Sequence, residues 1–318
     1  MSESVRILKN IIANMENVII GKRYAVELSV ISLICNGHVL IEDVPGVGKT
    51  SLVSALAKSV NASFRRIQFT PDVLPSDITG FSMYNQKKCE FEYRPGAIMS
   101  QIILADEINR TSPKTQASLL EVMEEYQVTV DGTTYKVPKP FMVLATQNPV
   151  EYLGTYPLPE AQIDRFFMKI SIGYPTNAEE SHILSRFQFT NPMDKLLPVV
   201  ESNDIIVIQE EIKNVHMDRT LSDYIVNIVS QTRRHPDVAL GSSPRGSLSL
   251  YRASQAWAFY NDRDYVLPDD IKNMVLPVLS HRLMLKQEAK LKKISPEEIL
   301  NSIVGNISVP VVSQYEAK

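Results

Sequence analysis

The sequence predicts an α/β fold, a parallel sheet covered on both faces by helices, followed by a small all-helical part. Short apolar runs bounded by polar or turn residues recur through the first half, with helix-spaced apolar residues between them. That alternation is the pattern of a parallel sheet. From about residue 173 the strand signal fades, and prolines and capped helix starts replace it.

Taken in order, the N-terminal MSESVRILKN opens an amphipathic stretch rather than the apolar centre of a leader. Strands are expected at 38–42, 65–69, 101–106, 141–146 and 166–171. Several are apolar on consecutive positions, as strands buried on both faces require. After Lys49, the residues Leu52, Val53, Leu56, Ala57 and Val60 repeat at helical spacing. Ser112 and Pro113 open a further helix as N-cap and first residue. Pro175, Pro192 and Pro198 mark 173–200 as a linker between a part at 1–172 and a helical part at 201–318. In the latter, helices are expected at 205–214, 219–233, 244–260 and 268–280, and a last one opens at Ser295 with a capping box.

The 318 residues carry 33 Lys and Arg against 36 Asp and Glu, a net charge of −3, and 44% of them are hydrophobic. A pI near 6.0 gives no overall basic field for nucleic acid or anionic lipid. The two cysteines, Cys35 and Cys89, form no C-x-x-C, and the five histidines have no i, i+4 pair. Neither a zinc or redox site nor a histidine metal site is expected. Nowhere do about 18 apolar residues run together. A cytoplasmic protein without a direct membrane anchor is the expectation.

Chemistry is concentrated in three strand ends. HVLIEDVPGVGKTSLVSAL reads as strand, glycine-containing loop and helix. The backbone N–H groups of Pro45-Gly46-Val47-Gly48-Lys49-Thr50-Ser51, less the proline's missing one, would wrap nucleotide phosphates, aided by the helix N-terminus. Lys49 would reach the β- and γ-phosphates, and the Thr50 hydroxyl would ligate Mg²⁺. The strict pattern G-x-x-x-x-G-K-[ST] fails at Asp43, which stands at the first glycine and leaves the backbone there in question. QIILADEINR ends a strand in Asp106 and Glu107, which strand geometry sends in different directions. One would hold the Mg²⁺ shell while the other polarises a water aimed at the γ-phosphate. The lesser alternative is a strand-end pair that caps the next helix. FMVLATQNP ends in Gln147 and Asn148, neutral amides suited to orienting water or a γ-oxygen, although Asn before Pro149 also suits a turn. Arg165, just before the last strand, would ordinarily be an ion-pair partner; only an oligomer would let it act on a neighbour's nucleotide.

With these motifs in this order, the chain resembles the MoxR family of AAA+ ATPases over nearly its whole length. The resemblance is carried by EDVPGVGKTSL (42–52), QFTPDVLPSDITG (68–80), ILADEINRTSPKTQASLLEVMEE (103–125), ATQNPVEYLGTYPLPEAQIDRF (145–166) and GSSPRG (241–246). It implies that Asp106 and Glu107 are the Walker B pair, Asn148 sensor 1, Arg165 the arginine finger and Arg245 sensor 2. From the start of a lid helix, Arg245 would span to the γ-phosphate and pull the helical part toward the sheet. The resemblance also implies a P-loop AAA+ core with sheet order 5-1-4-3-2, a helical lid and a homo-hexameric ring. Two hairpins are implied, one interrupting helix 2 at 80–96 and one before sensor 1 at 128–140, the latter with Asp131 and Gly132 as its turn. Phe81, Met83 and Tyr84 would then either pack within the hairpin or between subunits, or face a client.

The function expected is Mg²⁺-dependent ATP hydrolysis driving chaperone-like remodelling of a client protein complex. Clients carrying a von Willebrand factor A domain are what the family resemblance implies. The alternatives are a nucleotide-gated scaffold with little turnover, against which Glu107 and Arg165 argue, and a motor subunit like that of magnesium chelatase. A DNA translocase is disfavoured by the acidic pI.

Overall fold

The computed structural model describes residues 2–148, 154–187 and 191–310. Pro149, the last eight residues of the expected helical part, and 188–190 of the expected linker lie outside the described residues. Among the described residues nine strands precede the lid: β1 (Val39–Glu42), β2 (Phe64–Gln68), β3 (Gly80–Asn85), β4 (Glu90–Pro95), β5 (Ile102–Asp106), β6 (Gln127–Val130), β7 (Thr133–Lys136), β8 (Met142–Gln147) and β9 (Met168–Ile170). Five of them form one parallel sheet in the order β2-β5-β8-β1-β9. Counted over the sheet strands alone and read from the β9 edge, this is the expected order 5-1-4-3-2.

Side chains alternate across the sheet as the two-residue period of a strand demands. Val39, Ile41, Ile102, Leu104, Met142 and Leu144 join one buried cluster, with the helices Glu3–Glu16, Arg23–Ile34 and Lys49–Ser59. Leu40, Ile103, Ala105, Val143 and Ala145 join the other, with Leu119 and Leu120 of the helix Pro113–Glu125. Each fully buried Leu or Ile contributes roughly 1.5–3 kcal/mol relative to exposure, so the middle strands hold the sheet. Burial stops at the last residue of β1, β5 and β8, where Glu42, Asp106 and Gln147 are only partly covered. Polar strand tips therefore line up along the carboxyl edge of the sheet, at the crevice where ligands of open parallel sheets bind.

Beyond β9 the chain is mainly helical: Ser202–Glu211, Arg219–Arg234, Pro244–Tyr260, Pro268–Leu279 and Pro296–Asn306 match the sequence-predicted helices closely. Two corrections apply. The expected linker contains the helix Asn177–Phe187, whose start is a Thr176/Glu179 capping box that the proline-based reading passed over. The lid is also not purely helical, because β10 (Val238–Leu240) pairs antiparallel with β11 (Met284–Leu285). Ile205, Ile208, Leu250, Ala253, Ile271 and Met274 of the lid belong to the same buried cluster as the two N-terminal helices. The lid thus shares its core with the first 34 residues instead of closing one of its own.

Both hairpins form, β3–β4 and β6–β7. In the second, Asp131 and Gly132 both take positive φ (48° and 78°), the conformation of a type I′ turn. Tyr93 stacks on Tyr135 at 4.0 Å between centroids and ties the two hairpins together. Tyr84 meets Phe91 edge-on within the first hairpin, yet Phe81, Met83, Tyr84 and Phe91 all remain exposed, Phe91 by 74%.

Candidate nucleotide site at the two ends of the sheet

The loop after β1 takes its shape from two glycines. Gly46 (φ +85°) and Gly48 (φ +93°) are left-handed, and a Cβ on either would meet nothing within 4 Å, so the requirement is the backbone angle and not crowding. Gly48 caps the helix Lys49–Ser59 without any side-chain hydrogen bond, and no acidic residue occupies the first turn. The first-turn N–H groups, Thr50 and Ser51 among them, therefore lack a capping acceptor, which is the condition for binding an anion at a helix start. Pro45, Gly46 and Thr50 are exposed, and Val47, Gly48, Lys49 and Ser51 partly so. Lys49 Nζ donates to the Asp43 carbonyl at 2.6 Å. Burial holds Lys49 below the ordinary lysine value, with the carboxylates of Asp43, Asp106 and Glu107 opposing that shift.

Asp43, the departure from the strict motif, has no positive φ and is buried. Its carboxylate accepts hydrogen bonds from the Ser171 hydroxyl at 3.2 Å and from the backbone N–H groups of Ile172 and Gly173. A glycine could not do this. The substitution exchanges a permissive backbone position for a staple between the phosphate loop and the chain leaving β9.

Asp106 and Glu107 lie at the same edge. Asp106 accepts from Thr146 Oγ1 at 2.7 Å on one oxygen and from Arg66 Nε (3.1 Å) and Nη2 (2.6 Å) on the other. Glu107 is left-handed (φ +58°), and its N–H donates to the same Thr146 hydroxyl at 2.8 Å. This reversal swings the Glu107 side chain away from Asp106, to Gln68 Nε2 at 2.9 Å and Arg110 Nε at 3.4 Å. Asn148 is 7% exposed one residue beyond the tip of β8. Beside it, Gln147 Nε2 is buried with no acceptor among the described residues. Uncapped amides, a lysine, a hydroxyl and a carboxylate on one edge fit a nucleoside triphosphate with its magnesium ion, which characteristically takes only one or two protein ligands. Among the described residues, no cluster of three or more His, Cys, Asp or Glu forms an all-protein metal cage.

Arg165 and Arg245 are brought together, but at the other end of the sheet. Arg165 precedes β9, and its guanidinium donates to the Leu120 carbonyl at 2.8 Å and meets Glu124 at 3.1 Å. Arg245, at the start of the lid helix Pro244–Tyr260, pairs with the second oxygen of Glu124. Sequence reading expects Arg245 to span toward the phosphate loop; in the structure it meets Glu124 instead. β1 alone separates the two ends by about 13 Å at 3.3 Å per residue.

Lid residues clamp the segment that carries Arg165. Arg282 is buried and pushed down to about 10, first by burial. It donates to Asp164 Oδ1 at 2.9 Å, to the Phe166 carbonyl at 2.6 Å and to Ser249 Oγ at 3.2 Å. Ser243 Oγ donates to the other Asp164 oxygen at 2.8 Å. His38, just before β1, is buried and pushed down to about 4 by desolvation. Its Nδ1 accepts from the Val143 N–H, which leaves Nε2–H to donate to the Met123 carbonyl at 2.9 Å.

Sequence reading did not single out Arg66, Gln68, Thr146, Glu124, Asp164 or Arg282. One signal was available for Glu124, an acidic residue in a helix's last turn, where the macrodipole disfavours it. The others have no local signal, because their partners are distant in the chain.

The family description "ATPase family associated with various cellular activities (AAA)" matches residues 38–168, and "AAA lid domain" matches 230–303. The uncharacterized protein YeaC of Bacillus subtilis is 55% identical over 96% of this chain and 95% of its own length. Chaperone MoxR1 of Mycobacterium tuberculosis is 41% identical over 98% of this chain and 85% of its own length. Among solved structures, a candidate ATPase from Cytophaga hutchinsonii superposes with a TM-score of 0.89 at 41% identity, covering 97% of this chain and 96% of that one. With a five-stranded parallel sheet, a lid and these relatives over nearly the whole length, the chain belongs to the MoxR family of AAA+ ATPases.

Proposed function

We propose that this ATPase works as a ring, in keeping with a homo-hexamer, in which each ATP lies between the carboxyl edge of one copy's sheet and the amino edge of the next. The observation that carries the reading is the separation of the two halves within a single chain. Lys49, Asp106, Glu107 and Asn148 cluster at one end, and Arg165 and Arg245 share Glu124 at the other. A second copy supplies what the first lacks.

In this reading the loop amides and Lys49 bind the phosphates. Thr50 and Asp106 would hold magnesium, which when bound neutralises charge between the β- and γ-phosphates. Asp106, whose Oδ2 now accepts from Arg66, would turn toward the metal from the same strand end. Glu107 accepts the proton of the attacking water once released from Gln68, and Asn148 orients that water. Arg165 and Arg245 of the adjoining copy meet charge on the transferring γ-phosphoryl oxygens. The cycle drives chaperone-like remodelling of a client protein complex, with von Willebrand factor A domain proteins the client class the family resemblance implies. The exposed Phe81, Met83 and Phe91 of the first hairpin offer an apolar surface for that contact.

Mixing two inactive variants tests the shared site. Glu107→Gln and Arg165→Ala subunits should each bind ATP and turn over little, while mixed assemblies regain activity at interfaces pairing an intact Glu107 with an intact Arg165. No recovery at any ratio, with mixed assembly verified, would count against the reading.

A further inference from the structure

Glu124 breaks a local rule. It lies in the last turn of the helix Pro113–Glu125, where the macrodipole disfavours a carboxylate, with Glu125 adding a second negative charge and no basic residue in the turn. Local inconsistencies of this kind are expected where a site, and not the element, selects the residue. The tertiary structure supplies the reason. Glu124 divides its two oxygens between an arginine of the core and an arginine of the lid, Oε2 to Arg165 and Oε1 to Arg245.

The surroundings are strongly cationic. Arg165, Arg245, Arg252 and Arg282 line one cavity of about 260 Å³, and Glu124 is the one carboxylate among its lining residues. Two guanidinium groups held on one carboxylate carry a net charge of +1, so the unit still attracts an anion. Arg165 keeps a second anchor on the Leu120 carbonyl, whereas Arg245 has Glu124 as its one side-chain partner among the described residues. Glu124 thereby fixes the lid arginine relative to the core arginine. All three side chains are 31–43% exposed, which keeps the pairs modest in strength and exchangeable.

We propose that Glu124 is a positioning residue. It holds Arg165 and Arg245 at one spacing and presents them together to the γ-phosphate of the adjoining copy's ATP. This rests on the shared-site reading above. Without the carboxylate, two like charges would face each other across its former place and the lid arginine would lose its anchor. ATP binding, made at the phosphate loop of the other copy, would be untouched.

Steady-state ATPase kinetics on the assembled protein test this, with Glu124→Ala and Glu124→Gln made alone and in the Arg165→Ala background. A fluorescent ATP analogue reports binding, and sizing reports assembly. Glu124→Ala should lower kcat by about 10- to 100-fold, the scale of a misplaced catalytic group, with KM for ATP and assembly unchanged. Glu124→Gln, which retains one acceptor oxygen, should fall between this and the parent. In the Arg165→Ala background, Glu124→Ala should cost less than it does alone and no more than Arg245→Ala costs, because Arg245 is then the one arginine left for it to position. Parental kcat in Glu124→Ala, with Arg165→Ala inactive, would overturn the role of Glu124 and leave the shared site standing. Parental kcat in Arg165→Ala would overturn both. Should Glu124→Ala not fold, Glu124→Gln decides alone: full kcat without the charge refutes the proposal, and a reduced kcat at unchanged KM supports it.

Discussion

At the carboxyl edge of the sheet, functional groups hang from backbone geometry: two left-handed glycines shape the loop, an uncapped helix start offers its amides, and a left-handed Glu107 turns away from Asp106. At the amino edge, Glu124, Arg165, Arg245 and Arg282 come from four distant stretches of chain and are held by side-chain ion pairs and hydrogen bonds. The first arrangement is local and stiff, suited to gripping a ligand. The second spans core and lid, so any lid displacement moves Arg245 and Arg282 relative to Arg165. The difference teaches how, on the shared-site proposal, turnover would be linked to shape: binding would depend on one copy's backbone and catalysis on the neighbour's lid.

The largest effects should come from the carboxyl edge. Lys49→Ala is expected to abolish nucleotide binding, because the lysine meets phosphate charge already present in ATP. Glu107→Gln should retain binding and stop turnover, since the carboxylate matters chiefly for the attacking water. Equilibrium binding beside steady-state turnover separates the two, and a Glu107→Gln protein hydrolysing at the parental rate would break this half of the comparison.

Next in size is the amino edge. Arg165→Ala should bind ATP normally yet lose about 10³–10⁵ in rate, the range for a lost arginine finger. Arg245→Ala should lose less, because Arg165 keeps its Leu120 anchor and its contact with Glu124. Trp257, the only tryptophan, lies on the same lid helix and reports lid movement by fluorescence. Tight-binding loss in either variant would mean that the two ends are not divided between binding and catalysis.

The smallest effect is one of pH on stability. His38 is neutral when folded, with its pKa pushed down to about 4 from 6.5 by burial, so the unfolded chain binds a proton more readily between those values. Stability from this group is fully present above 6.5 and falls as pH drops toward 4, by up to about 1.4 kcal/mol per pH unit. His281, half-buried and lowered well below 6.5 first by desolvation, acts in the same direction. Denaturant unfolding between pH 7 and 5 should show a steeper loss in the parent than in His38→Gln; equal slopes would remove His38 as the acid-sensitive tie at the amino edge.

Strand alternation, helix caps and the placing of the glycine loop, Asp106, Glu107 and Asn148 at strand ends were legible in the sequence because each depends on neighbours a few residues away. The hairpin turn at Asp131 and Gly132 was legible for the same reason, and the Thr176/Glu179 cap could have been. Asp43 was visible as a departure, but its carboxylate's partners, at Ser171 to Gly173, lie about 130 residues on. The pairing of Asp106 with Arg66, the clamp of Arg282 on Asp164 and the sharing of Glu124 by Arg165 and Arg245 arise only when distant segments meet. Periodicity and capping report hydrogen bonds closed within a turn or a strand, whereas an ion pair between segments leaves no spacing in the chain. The sequence by itself determined which side chains are available at the strand ends; tertiary packing decided that the arginines stand at the far end of the sheet from the lysine.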